Sequence, residues 1–267
     1  MSIVFSTCWY SLKAKFPESI YLEWMDNMLS QVHCYYLVLY TDEQHYSFFF
    51  SKYGSNPNIK IVIKPLEQFY NYRHKEFWIE NHRNNPLLNQ KINWELNMLW
   101  SEKVHFVNET RLSHYFPETD YYGWIDIGYF RCRTQLDIQR EAIQNFPNPE
   151  KVRRLNPNKI HYALVHSQYF QQLLEIIKQK RPIPQNQISI GGGCFIGHKD
   201  KIEWWKTTFQ NKLESYITVG QVVKDDQIII VDCVFNDILN EGCANFDLHQ
   251  ETNPSYDPWF LFSRSLQ

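Results

Sequence analysis

The stretch Tyr121-Tyr122-Gly123-Trp124-Ile125-Asp126-Ile127-Gly128 is an apolar, aromatic run that ends on one acidic residue and a glycine. Such a run reads as a buried strand, and a carboxylate leaving its C-terminal end falls in the crevice where open α/β sheets bind ligands. Outward from it, strand-like and helical segments alternate. Ser2 to Cys8, Cys34 to Tyr40 and Ile59 to Lys64 are short and apolar or β-branched, as buried strands are. Between the first two, Pro17 and Glu18 open a helix whose Tyr21, Trp24, Met25 and Met28 recur at helical spacing. Residues 69–90 are aromatic and charged without clear periodicity. Beyond them, Ile92 to Phe106 suits a helix, Ile160 to Val165 a strand and Gln168 to Lys180 a helix. Ile188 to Gly197 reads as a glycine-bent strand, and Lys201 to Tyr216 and Asp226 to Leu239 as two more helices. The alternation predicts an α/β fold, a mostly parallel sheet flanked by helices on both faces, in a single domain.

A chain of 267 residues with 43% hydrophobic and 16% aromatic content can bury a sizeable core and still spare flat faces for sugars and bases. The net charge of −2 argues against a nucleic-acid partner, which needs a basic surface to displace counterions; Lys151, Arg153 and Arg154 make only a local basic trio. No long uninterrupted apolar stretch is present, so no spanning helix is expected. The six cysteines are scattered without a CxxC pair, a pattern of reduced, packed thiols. Met1 leads straight into Ile3-Val4-Phe5 without a basic or small-residue leader pattern, so a cytoplasmic location is expected.

Chemistry concentrates in three segments. Asp126 either serves as an ordinary strand-end carboxylate or, in a cleft, binds a divalent cation, Mn²⁺ or Mg²⁺, that neutralises a diphosphate. Gly191-Gly192-Gly193 lacks P-loop spacing, and three glycines in an apolar strand point to a bulge or a close backbone approach to a ligand. Asp225 and Asp226 precede an apolar helix, where one can be an N-cap; two adjacent carboxylates in a cleft also raise one pKa toward that of a general base. Alternatively Asp226 and Gln227 hydrogen-bond sugar hydroxyls. His249 is either structural or completes a metal site through an imidazole nitrogen. Lys103 is either exposed or in contact with phosphate. Thr7 and Asp42, at the ends of the first two strands, are either ordinary turn residues or part of the pocket for ribose and base.

Leu99-Trp100-Ser101-Glu102-Lys103, Trp124-Ile125-Asp126-Ile127-Gly128, Gly192-Gly193-Cys194-Phe195-Ile196-Gly197 and Lys224-Asp225-Asp226-Gln227, in this order, resemble the HtrL/YibB-type family of glycosyltransferases across the central part of the chain. The resemblance implies a GT-A fold, a Rossmann-like nucleotide-binding unit of about residues 1–130 joined to an acceptor-binding half of about residues 131–267. GT-A enzymes carry an Asp-x-Asp motif at the end of a central strand. Asp126 holds its first position and Gly128 stands in place of the second aspartate, so metal binding would draw on His249 or on phosphate and water. By the same analogy Gly192 and Gly193 face the donor sugar or phosphate, and Asp225, Asp226 and Gln227 the sugar or acceptor. The expected activity is transfer of a sugar from a nucleoside diphosphate sugar, of UDP or GDP, to a hydroxyl of a glycan or glycoconjugate. A carbohydrate-binding protein without turnover and a nucleotide-sugar hydrolase are the rival expectations.

Overall fold

The computed structural model describes residues 1–131 and 143–267. Its seven strands, β1 (Ile3–Trp9), β2 (Tyr36–Thr41), β3 (Ile59–Ile63), β4 (Tyr121–Ile125), β5 (Ile160–Leu164), β6 (Ile190–His198) and β7 (Phe246–Gln250), form one sheet in the order β3-β2-β1-β4-β6-β5-β7. All neighbouring pairs are parallel except those made by β6, which runs against both β4 and β5. Four parallel strands therefore make a Rossmann-like half, and β6 turns the chain back to found the second half. This is a single α/β domain with a mostly parallel sheet.

Period-two alternation divides the sheet residues between two cores. Val4, Tyr122 and Trp124 face one side, where they pack with Met98, Phe106, Trp205 and Ile229. Ile3, Phe5, Tyr121 and Ile125 face the other, against Met28, Phe49 and Phe262. The covering helices are α1 (Glu18–Leu29), α2 (Glu43–Tyr53), α3 (Lys75–Arg83), α4 (Trp94–Ser113), α5 (Pro149–Arg153), α6 (Ser167–Lys178), α7 (Lys199–Thr218), α8 (Asp226–Glu241) and the short C-terminal α9 (Leu261–Ser265). Because both faces are covered, the central strands read as continuous apolar runs rather than alternating ones.

Two departures from the sequence reading have local causes. α2 went unrecognised because its Phe48-Phe49-Phe50 run hides the helical period, and only Phe49 and Tyr53 of the helix are buried. Residues 69–90 lack periodicity because they begin as a 3-10 turn, Tyr70–His74, before entering α3. That turn is pinned from below: Glu102 on α4, fully buried, accepts from the backbone N–H of Tyr70 at 2.6 Å and of Asn71 at 3.1 Å. Burial raises its carboxyl to about 7 against the pull of those hydrogen bonds.

α8 is closed in on nearly every side at its start, with Asp226 through Val231 all buried. A helix apolar all round belongs inside the protein, and its N-terminus is thereby driven to the carboxyl edge of the sheet. It ends on Gly242 in the left-handed region, φ 65°, the conformation in which glycine carries no Cβ penalty. Among the described residues no helix is long and apolar enough to cross a membrane.

Candidate functional site

At the carboxyl edge of the sheet, the loop after β1, the turn after β4, the first residues of β6 and the N-terminus of α8 enclose a cleft of about 780 Å³. Ligand pockets for small molecules span roughly 300–1,000 Å³, so a nucleotide-sized molecule fits. Trp124 sets the turn. Its indole is buried in the core, and its Nε1–H donates to Asp126 Oδ1 at 2.7 Å, while Asp126 N donates to Gly193 O at 2.8 Å. The strand-end aspartate is thus held by its own strand's side chain and by the antiparallel neighbour.

Lys103 is the centre of the site. It rises from the buried face of α4, is 5% exposed, and places Nζ 3.1 Å from Asp126 Oδ1 and 3.0 Å from Asp226 Oδ2. The ammonium donates its hydrogen bond to Gly192 O at 2.8 Å; the Asp226 Oδ2 contact is a charge contact set off the hydrogen-bond direction. Burial alone pulls a lysine pKa down, but here the two carboxylates outweigh it and hold Lys103 above its ordinary value. Asp226 is raised to about 6, by burial first, against the attraction of Lys103 and with repulsion from Asp225 and Asp126 added.

Asp225 sits at the N-cap position of α8 yet makes no capping hydrogen bond. Its Oδ2 lies 3.2 Å from Lys224 Nζ, and its buried Oδ1 has no hydrogen-bond partner among the described residues. An unpaired buried carboxylate oxygen costs about 1–3 kcal/mol or more, which a ligand hydroxyl would relieve. Gln227 donates through Nε2 to Ile190 O at 2.8 Å and so ties the start of α8 to β6.

The glycines leave room for these carboxylates. A Cβ on Gly192 would stand 2.9 Å from Asp226 Oδ2 and 3.1 Å from Gln227 Cγ; one on Gly193 would stand 3.4 Å from Asp126 Oδ2. Gly192 and Gly193 line the cleft, but what first demands them is the acidic side chains packed against them. Gly128, in turn, is closed by Trp24, whose ring lies 3.0 Å from where a Cβ would be. Gly192→Ala is therefore expected to displace Asp226, lower stability by about 1–3 kcal/mol and abolish ligand binding, with calorimetry and thermal melts as the readouts. Gly193→Ala has room and should cost little in stability.

Among the described residues, six cationic side chains and four carboxylates line the cleft, an excess of positive charge in a chain whose net charge is −2. Sequence reasoning missed most of them. Lys13 and Lys15 come from the loop after β1, and Lys15 Nζ lies 5.0 Å from the centre of the Trp100 ring. Burial lowers the Lys15 pKa in spite of Asp225 and Asp226. A pair of lysines immediately after the first strand was the signal available. Cys8 also reaches the cleft, but burial and Asp126 raise its thiol and so favour the protonated, less nucleophilic form.

The structure brings Lys103, Asp126, Gly192, Gly193, Asp225, Asp226 and Gln227 together and leaves three other candidates outside. Thr7 is fully buried within β1 and does not line the cleft. Asp42 caps α2, accepting from His45 N at 2.9 Å. His249 lies on β7, three strands from β4, across roughly 14 Å of sheet at the usual interstrand spacing, so one ion cannot join it to Asp126. Of the six cysteines, Cys132 lies outside the described residues and the other five are free.

For a divalent cation at Asp126 the donor set is a poor fit. Oδ1 already faces the Trp124 N–H and the Lys103 ammonium, which leaves Oδ2 as the one open oxygen, and the space between the two aspartates holds a positive charge. No protein-family model matches the chain, and no curated protein matches it.

Proposed function

We propose that the chain transfers a sugar from a nucleoside diphosphate sugar to a hydroxyl of a glycan or glycoconjugate, on a GT-A type of Rossmann-like fold. The observation that carries this reading is the Lys103 ammonium held between Asp126 and Asp226 in one cation-rich, aromatic-walled cleft. Positive charge suits a diphosphate, flat rings suit a base and a sugar, and the adjacent carboxylates suit hydroxyl groups.

In this reading Lys13, Lys15 and Lys103 attract the diphosphate and stabilise the charge that grows on it as it leaves. Lys103, rather than a resident Mn²⁺ or Mg²⁺, supplies the charge at the end of β4, and no step passes through a metal. Asp226 accepts the proton of the acceptor hydroxyl as the oxygen bonds to the anomeric carbon. The bond from that carbon to the phosphate oxygen breaks, and its electron pair leaves with the nucleoside diphosphate. Asp225 orients the sugar or acceptor through its unpartnered oxygen.

Calorimetric titration with UDP and GDP tests the reading. One of them is expected to bind with a Kd on the order of 10 μM, equally with Mn²⁺ or with EDTA, and Asp126→Ala should weaken that binding. Binding of neither nucleotide overturns the proposal. Sugar affinity indifferent to nucleotide would favour a non-catalytic carbohydrate-binding protein, and sugar release as fast without acceptor as with it would favour a hydrolase.

A further inference from the structure

The parallel pair β5 and β7 sets three donor side chains on one face of the sheet, away from the cleft. His161 and Asp247 are register partners, and His249 follows Asp247 by two residues, which in a strand returns the side chain to the same face. His161 Nδ1 lies 2.8 Å from His249 Nε2 and 3.5 Å from Asp247 Oδ2, and His249 Nε2 lies 3.8 Å from that same oxygen. Four ligands around zinc at about 2.0–2.1 Å stand ~3.3 Å from one another, so the three separations straddle the value a tetrahedral ion requires.

The surroundings orient the donors. His161 is fully buried, and its Nε2–H donates to Asn156 O at 3.0 Å. That bond fixes the tautomer with the lone pair on Nδ1, the nitrogen facing the other two residues, as outer partners of metal-binding histidines do. His249 now donates its own Nε2–H to this lone pair; a shift of that proton to its Nδ1 frees both facing nitrogens. Phe262 packs edge-on to His249 at 5.4 Å and closes one flank. Side-chain exposures of 29% for His249 and 42% for Asp247 leave an ion a route from solvent.

We infer that His161, Asp247 and His249 form a transition-metal site that takes Zn²⁺, with solvent in the fourth position. Two imidazoles and one carboxylate suit zinc, whereas Mg²⁺ and Ca²⁺ want an all-oxygen set. Nothing in this inference depends on sugar transfer. β7 is the last strand of the sheet, so a bound ion would fasten an edge strand to its single neighbour.

The test uses the full chain freed of metal by a chelator. Titration with Co²⁺ is expected to develop the visible absorption of a tetrahedral site, and Zn²⁺ should bleach it. Zn²⁺ at a hundredfold excess over Kd should also raise Tm by about 5–10 °C, while Mg²⁺ should not. His249→Ala and Asp247→Asn alter partly exposed residues and spare the buried His161; each should lose the absorption band and the rise in Tm, and leave nucleotide binding unchanged. Absence of both responses in the unsubstituted chain, or an equal response in His249→Ala, overturns the site.

Discussion

Replacing Lys103 with Met is expected to cost about 3–5 kcal/mol of stability, the penalty for stranding buried charge when one member of an ion-paired group is removed. The hydrocarbon stem is preserved, so its packing changes little and the loss reports the charge. Asp226 is 5% exposed and cannot turn to water, and with the ammonium gone it faces Asp126 and Asp225 with only the more distant charge of Lys15 to offset them. Its only relief is a proton. A carboxyl whose pKa in the fold is raised contributes stability below its unfolded value and loses it as pH rises through the folded value. The gap in Tm between the unsubstituted chain and Lys103→Met should therefore be small near pH 5 and about 10 °C near pH 8. The rate of transfer should fall about 10²–10³-fold, as when a positioned donor to a developing oxyanion is deleted. Thermal melts at the two pH values check the first expectation, and a gap that does not widen with pH would mean that Lys103 does not hold this charge pair together.

Asp226→Asn should separate binding from turnover. The amide keeps the shape beside Gly192, where there is no space for a larger group, and removes the proton acceptor. Transfer should drop about 10²–10⁴-fold, the range for loss of a positioned general base, while nucleotide affinity changes only a few-fold. The pH profile provides a second readout. With the Asp226 carboxyl raised to about 6, kcat/KM should decline as pH falls below that value, because the protonated form cannot accept the acceptor's proton. In Asp226→Asn this acidic limb should vanish. A variant that keeps both its rate and the limb would remove Asp226 from the chemistry.

Much of the architecture was legible because burial on both faces writes strands as apolar runs, which is how β1, β2 and β4 read. The reversed direction of β6 was not, since an apolar strand carries no mark of its neighbours' polarity. In the site, Asp126, Asp225 and Asp226 stood out because carboxylates at the ends of apolar segments are conspicuous. Lys103 was harder to weigh: a lysine on a helix usually faces water, and only the closure of α4 against the sheet turns it inward. His249 and Asp126 are far apart along the chain, and linear order holds no measure of how many strands intervene. Asp42 takes the turn role of its two readings, a strand-end acid whose capping of the next helix uses its acceptor locally.

The single ammonium held between carboxylates from both sides of the sheet reversal has a consequence for the protein as an object that evolves or is cut. Lys103 and Asp126 come from the first part of the chain, Asp226 and Gly192 from the second, and the ammonium of the first part faces a carboxylate and a carbonyl of the second. A fragment ending after Asp126 would keep a buried cation short of one carboxylate, and the remainder would keep Asp226 without its lysine, because Lys224 lies against Asp225. The two parts of the chain are therefore welded along one electrostatic seam, and neither can be traded for another module without remaking the seam.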